Sequence, residues 1–205
     1  MIKTIFFDLG GVLLTNGWDP LQRADVLPRF GLDATEYNAR HYEANESWER
    51  GLSTVHDYFN KTVFYEPRKF TFDELWLKVK AESRVLHPEC FEIAAELAAT
   101  GRYQLCTLNN ESRELNDYRI QAFELKKYFT VFISSGYVNE MKPHAKIYRS
   151  ALEITQAVPA ESVFIDDREA NVQAAREMGM HGIVFSDPKQ LRAELAKLGV
   201  TTERI

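Results

Sequence analysis

Three short apolar runs, far apart in the chain, each stop at polar residues able to do chemistry. Ile5-Phe6-Phe7 stops at Asp8 and passes almost at once into Gly10-Gly11; Leu105-Cys106-Thr107-Leu108 stops at Asn109-Asn110; Val163-Phe164-Ile165 stops at Asp166-Asp167. Short apolar runs bounded by turn residues read as strands buried on both faces, the kind found in parallel sheets. Strands are expected at 4–8, 103–108, 131–134, 162–165 and 182–185. Helical patterns lie between them: from His87-Pro88 to Gly101, from 112 to 123, from Pro143 to 154, from 168 to 178 with Gly179 closing it, and from Asp187-Pro188 to near Gly199. Strands alternating with helices imply an α/β fold, a Rossmann-like, doubly wound parallel sheet with helices on both faces. In such sheets ligands bind beyond the carboxyl ends of the strands. Asp8, Asn109, Asn110, Asp166 and Asp167 therefore converge on one site, and Lys142, just before Pro143, is placed to join them.

Composition narrows the classes. A chain of 205 residues with 45% hydrophobic content can bury a proper core. A net charge of −5 gives no reason to expect nucleic acid or an anionic membrane surface as partner. No apolar run approaches the ~20 residues of a membrane span. Cys90 falls on an expected helix and Cys106 in an expected strand, so both read as buried thiols of a reducing compartment. The start of the chain enters a strand directly and lacks a signal-peptide layout, so a cytoplasmic protein is expected. Oligomeric state is not specified by any of this.

Residues 16–85 differ in texture. They hold all three tryptophans, Trp18, Trp48 and Trp76, and many of the tyrosines and phenylalanines. Their spacing is helical, with no strand alternation. The segment reads as a small helical cap inserted over the strand ends, with residues 1–15 and 86–205 forming the core domain. Packing between short helices accounts for most of these aromatics. Trp18, close to Asp8 and to the expected hinge, is the candidate for lining a substrate pocket.

FFDLGGVLL at 6–14, LCTLNNES at 105–112, EMKPHAKIY at 140–148 and VFIDDREANVQAAREMGM at 163–180 together resemble the haloacid dehalogenase-like hydrolase superfamily. The likeness is to its phosphatase-type members with a helical cap, such as the phosphatase domain of epoxide hydrolase-like proteins. It implies that Asp8 attacks phosphorus to form an aspartyl-phosphate, and that the substrate is a small phosphorylated metabolite. It also implies a Mg²⁺ cofactor held by the Asp8 carboxylate, the Gly10 carbonyl and Asp167, since Mg²⁺ takes oxygen ligands and few protein groups. Asp166 then pairs with Lys142, which carries countercharge for the phosphate. Backbone N–H groups at Gly11 and the amides of Asn109 and Asn110 are the expected phosphate donors. Asn109 stands where relatives have Ser or Thr, so Thr107, two residues earlier on the same side of the strand, is an alternative carrier of the motif hydroxyl.

Gly10 departs from the family pattern. The phosphatases usually carry a second Asp there, which protonates the leaving group and then activates water. General acid–base catalysis is worth roughly 10²–10⁴-fold. Its loss weakens such an enzyme without abolishing it, and substrates with good leaving groups, such as acyl or aryl phosphates, should suffer least. Asp19 is the nearest carboxylate in sequence that can replace it; His41, Glu46 and His56 are more remote. Two other functions fit parts of the pattern. A 2-haloacid dehalogenase of the same superfamily also lacks the second Asp, but needs no metal and lacks paired acids after the later strand. A non-catalytic protein binding a phosphorylated ligand would tolerate Gly10 and Asn109.

Overall fold

A computed structural model describes residues 1–202; the last three residues of the expected core domain lie outside them. In chain order the elements are β1 (Thr4–Phe7), α1 (Pro20–Val26), α2 (Ala34–Glu49), α3 (Val55–Thr62), α4 (Phe72–Ala81), α5 (Pro88–Ala99), β2 (Gln104–Asn109), α6 (Arg113–Ala122), β3 (Val131–Ser134), α7 (Ser135–Val138), α8 (Ala145–Thr155), β4 (Ser162–Asp166), α9 (Glu169–Glu177), β5 (His181–Val184) and α10 (Pro188–Lys197). The five strands form one parallel sheet in the order β3-β2-β1-β4-β5.

The apolar runs separate by alternation onto the two faces, as the period of two in a strand requires. Ile5, Phe7, Leu105, Val163 and Ile165 pack on one face against Ile93, Leu97, Leu191 and Leu195 of α5 and α10. Phe6, Cys106, Leu108, Ile133 and Phe164 pack on the other against Ile147, Tyr148 and Ala151 of α8 and Ala175 of α9. Cys90 and Cys106 are free, buried thiols, one in each of these layers. The sheet is therefore covered on both sides, as expected.

Element ends shift by a residue or two. β1 stops at Phe7 rather than Asp8, whose backbone N–H still donates to Ile165 O at 2.8 Å while its side chain accepts the backbone N–H of Leu9 at 2.8 Å. β2 extends through Asn109 and β4 through Asp166, so those two residues are still paired to neighbouring strands. The helix expected from Pro143 begins at Ala145. Gly179 adopts the left-handed conformation (φ 84°) that closes α9.

Helices α1–α4 enclose a separate apolar cluster centred on Trp48, Tyr58 and Phe59, with Trp48 stacked on Tyr58 at 4.2 Å between ring centroids. No strand lies between 16 and 85. The chain leaves and re-enters the sheet layer side by side: Thr15 N donates to Arg84 O, Thr15 Oγ1 donates to Glu82 O, and Leu14 bridges Val85. Buried Arg119 of α6 clamps both crossings, donating to Thr15 O at 2.9 Å and Ser83 Oγ at 3.1 Å. Among the described residues no helix is long and apolar enough to cross a membrane.

Candidate active site

The central strand β1 delivers Asp8 to the end of the sheet, flanked by β2 and β4. Pairing of Phe7 with Thr107 and Ile165 puts Asp8 level with Leu108 near the end of β2 and with Asp166, the last residue of β4. Lys142 reaches this point from the β3–α8 connection. Its Nζ lies 3.0 Å from Asp8 Oδ1 and 2.7 Å from Asp166 Oδ2, and donates to Leu108 O at 3.0 Å. The three charged side chains are almost wholly buried. Burial works against the Lys142 ammonium, but Asp8 and Asp166 outweigh it and hold its pKa above the usual value. Burial pushes the Asp8 carboxyl up, Lys142 pulls it back, and Asp166 adds to the rise.

The two neighbouring acids divide the work. Asp166 is saturated: Oδ2 takes Lys142, Oδ1 takes the backbone N–H of Arg168 at 2.8 Å, and Asn171 Nδ2 lies 3.1 and 3.0 Å from the two oxygens. Asn171 is itself held through its carbonyl by Tyr148 Oη at 2.8 Å. Asp167 is exposed and takes no ion pair or side-chain hydrogen bond from another residue among those described. Carboxylate oxygens of Asp8, Asp166 and Asp167 lie within 4.8 Å of one another. Lys142 and Leu9 N both fall on Asp8 Oδ1, which leaves Oδ2 as the free oxygen.

The expected phosphate donors are placed less simply. The Gly11 N–H donates to Leu14 O at 2.9 Å. Gly11 matters instead through space: it sits at φ 76°, and a Cβ there would fall 2.3 Å from Asp167 Oδ2. Asn110 grips the Lys142 backbone at both ends, donating from Nδ2 to Lys142 O at 2.9 Å and accepting Lys142 N on Oδ1 at 2.8 Å. Asn109 Nδ2 donates to Asn116 Oδ1 at 3.0 Å. Each amide keeps one further N–H. Both residues line the cavity beside Asp8, whereas Thr107 is fully buried below it and does not. Asn109 therefore occupies the position that the shifted alignment would have given to Thr107.

That cavity, about 250 Å³, is roofed by residues from 16–85. Trp18 lines it while its Nε1 donates to Tyr37 Oη at 2.6 Å, so this aromatic serves packing and lining together. Asp19 lines it too, 3.6 Å from Arg168 at the mouth. His41 is turned inward to Tyr58 at 2.7 Å and His56 is stacked on Phe72, so neither histidine faces Asp8. Glu46 lines a separate, wider groove of about 610 Å³ that shares Met141 and Lys142 with the cavity. Glu49 and Arg119 line the cavity with no motif to announce them, whereas Glu111 and Arg168 lie inside the motifs at 105–112 and 163–180 without being singled out there.

The family model described as haloacid dehalogenase-like hydrolase matches residues 2–179. Bifunctional epoxide hydrolase 2 of Rattus norvegicus is 31% identical over 136 residues, 64% of this chain and 24% of that protein. The chain thus spans about a quarter of the length of that relative. Sesquiterpene phosphatase astK of Aspergillus oryzae is 26% identical over 199 residues, 96% of each. A haloacid dehalogenase-family enzyme from Bacteroides thetaiotaomicron, solved with magnesium and inorganic phosphate, shares the fold with a TM-score of 0.75 at 20% identity, covering 91% of this chain and 95% of that one. The chain belongs to the haloacid dehalogenase-like hydrolases. It is an enzyme of that hydrolase class, built on the parallel α/β sheet that the family shares.

Proposed function

We propose that this chain is a Mg²⁺-dependent phosphohydrolase that cleaves a small phosphomonoester through an aspartyl-phosphate on Asp8. The observation that carries the reading is the division of labour around Lys142: Asp166 is spent on the lysine, while Asp8 Oδ2 and the Asp167 carboxylate stand free beside each other. A hard divalent cation asks for such an all-oxygen set. Asp8, Asp167 and the Gly10 carbonyl are the residues that would hold it, and Gly11 supplies the room for Asp167. When bound, the ion offsets repulsion between Asp8 and a dianionic phosphate. The phosphatase among the relatives and the magnesium-and-phosphate complex among the structural neighbours support the same reading.

The remaining steps belong to the chain. Lys142, fixed by Asp166, Leu108 O and the Asn110 clamp, balances charge on the phosphoryl group without having to move. The spare N–H of Asn109 and of Asn110 are the donors for its oxygens. The Asp8 carboxylate attacks phosphorus, the leaving group departs toward the cavity roof, and water then attacks the acyl phosphate. Residues 16–85 act as the cap over this chemistry, with residues 1–15 and 86–205 as the core. The small, polar cavity favours a compact metabolite, and the adjoining groove gives a larger leaving group somewhere to lie.

Phosphate release from p-nitrophenyl phosphate and acetyl phosphate, with Mg²⁺ and with chelator, tests the reading. Turnover that chelator removes and Mg²⁺ restores is expected. Equal turnover in chelator would overturn the metal dependence, and metal-independent halide release from 2-chloropropionate would favour the dehalogenase instead. The role of Gly11 is tested separately. Gly11→Ala must hold a Cβ in the left-handed region, at about 1–2 kcal/mol, and displace the Asp167 carboxylate. Its Mg²⁺ affinity by titration calorimetry is expected to fall by about tenfold or more, the loss typical of disturbing a ligand's support.

A further inference from the structure

Resting on the phosphohydrolase reading, we propose that Glu49, supplied by the cap, is the general acid and base that Gly10 cannot provide. The usual position carries no side chain, and a Cβ at Gly10 would lie 2.6 Å from Asn16 Oδ1. The group must then come from the cavity wall. Three carboxylates besides Asp8 line the cavity: Asp19, Glu49 and Glu111.

Two of the three are committed. Glu111 is ion-paired to Arg119 at 3.2 Å and takes both the N–H and the hydroxyl of Ser112 on its other oxygen. Asp19 faces Arg168 at 3.6 Å. Glu49 has no ion pair among the described residues and only the Asn45 amide beside its carboxyl.

Its position is also fixed relative to Asp8, which loops of a mobile lid rarely are. Glu49 is the last residue of α2, and the chain around it is fastened to the core. Glu49 O accepts Ser135 Oγ at 2.7 Å. Trp48 Nε1 donates to Glu114 at 3.2 Å, Arg50 Nε donates to Asn139 O at 3.0 Å, and Asn139 Nδ2 donates to Arg50 O at 2.7 Å. Gly51, at φ 66°, abuts Gly136 so closely that a Cβ would fall 2.1 Å from its carbonyl oxygen. A proton-transfer group needs this kind of anchoring.

The environment suits the task. Burial pushes the Glu49 carboxyl up to about 7, Glu111 and Asp19 add to the rise, and Asn45 and Arg168 oppose it. Arg119, Lys142 and Asp8 are the other charged groups on the cavity wall. An acid with a pKa near the working pH is the form best able both to give and to take a proton.

The steps balance. In the first, the bond from an Asp8 carboxylate oxygen to phosphorus forms, the bond from phosphorus to the leaving oxygen breaks, and that oxygen takes the Glu49 proton. In the second, a water oxygen bonds to phosphorus, the Asp8–phosphorus bond breaks, and the water proton returns to Glu49.

Glu49→Gln and Glu49→Asp, compared with wild type on β-glycerophosphate and acetyl phosphate, test the assignment. With Glu49→Gln, kcat/KM on β-glycerophosphate is expected to fall about 10²–10⁴-fold. On acetyl phosphate, whose leaving group needs no proton, kcat/KM stays near wild type while kcat and KM fall together and phosphorylated Asp8 accumulates. The wild-type fall in kcat/KM on β-glycerophosphate above about pH 7 disappears, and Glu49→Asp recovers part of the rate. Wild-type behaviour of Glu49→Gln on both substrates, or an equal loss on both with an unchanged pH profile, overturns the role even though Asp8-dependent turnover persists. Wild-type protein that shows no Asp8-dependent turnover overturns the phosphohydrolase reading itself and this role with it.

Discussion

Asp8→Asn is expected to lower phosphate release from p-nitrophenyl phosphate by on the order of 10⁴-fold or more, the scale of losing a covalent nucleophile. In metal-free buffer the same variant is expected to melt at or above the wild-type temperature. The two effects share a cause. Asp8 is a carboxyl buried beside a second carboxyl, and its pKa is raised in the folded protein despite Lys142. A raised carboxyl pKa means that the unfolded chain gives up the proton first, so folding stability falls as pH climbs from the ordinary value of 3.8 upward. The neutral amide removes that cost, and its melting advantage should be larger at pH 7 than at pH 4. Stability surrendered for a reactive group is common at active sites. A variant that loses activity and stability together across this range would contradict the account.

Lys142→Met is expected to damage both properties. It leaves Asp8 and Asp166 buried, adjacent and without their shared cation. Breaking a buried ion pair from one side costs about 3–5 kcal/mol, which corresponds to about 10 °C in melting temperature for a chain of this size. The pH dependence has a definite sign. Without the ammonium the Asp8 carboxyl is raised further in the folded state, so the deficit grows as pH rises and shrinks toward pH 4, where protonation relieves it. Lys142→Met combined with Asp166→Asn should recover part of the lost stability, because the residues are coupled, but none of the turnover. A deficit of constant size from pH 4 to pH 8 would place the damage in packing rather than charge.

How much of this was legible in the sequence follows from how local each signal is. The five strands announce themselves because a doubly covered parallel strand needs an unbroken apolar run, and the polar residues that end the runs mark the open edge of the sheet. Asp8, Asp166 and Asp167 were therefore readable, and so was Lys142 once its motif was placed beside theirs. The pairing of Asp166 with Lys142 followed from the resemblance and is present at 2.7 Å. The roles inside the cavity were less legible. Asn110 reads as a phosphate donor at a strand end, yet both ends of its amide hold the Lys142 backbone, a contact across 32 positions that no local pattern records. Gly11 reads as a bare N–H, yet its N–H is consumed by Leu14 and its value lies in the missing Cβ facing Asp167. Glu49 was invisible because nothing in α2 distinguishes it from Glu46 or Glu43; only the fastening of Trp48, Arg50 and Gly51 to the core brings it to the cavity that Asp8 also lines. Residues 16–85 were readable as helical, but the choice between packing and lining for Trp18 required tertiary structure, which gives it both tasks.

The central claim is that phosphate passes through a covalent bond to Asp8. Wild-type protein mixed with acetyl phosphate and Mg²⁺, quenched in acid within a turnover, reduced with borohydride and digested for mass spectrometry tests it directly. An aspartyl-phosphate is reduced to homoserine, so the account predicts homoserine at position 8 in samples that received both substrate and metal, and unmodified Asp8 in samples quenched before substrate. Phosphate release at full rate with Asp8 unmodified in every sample would contradict it.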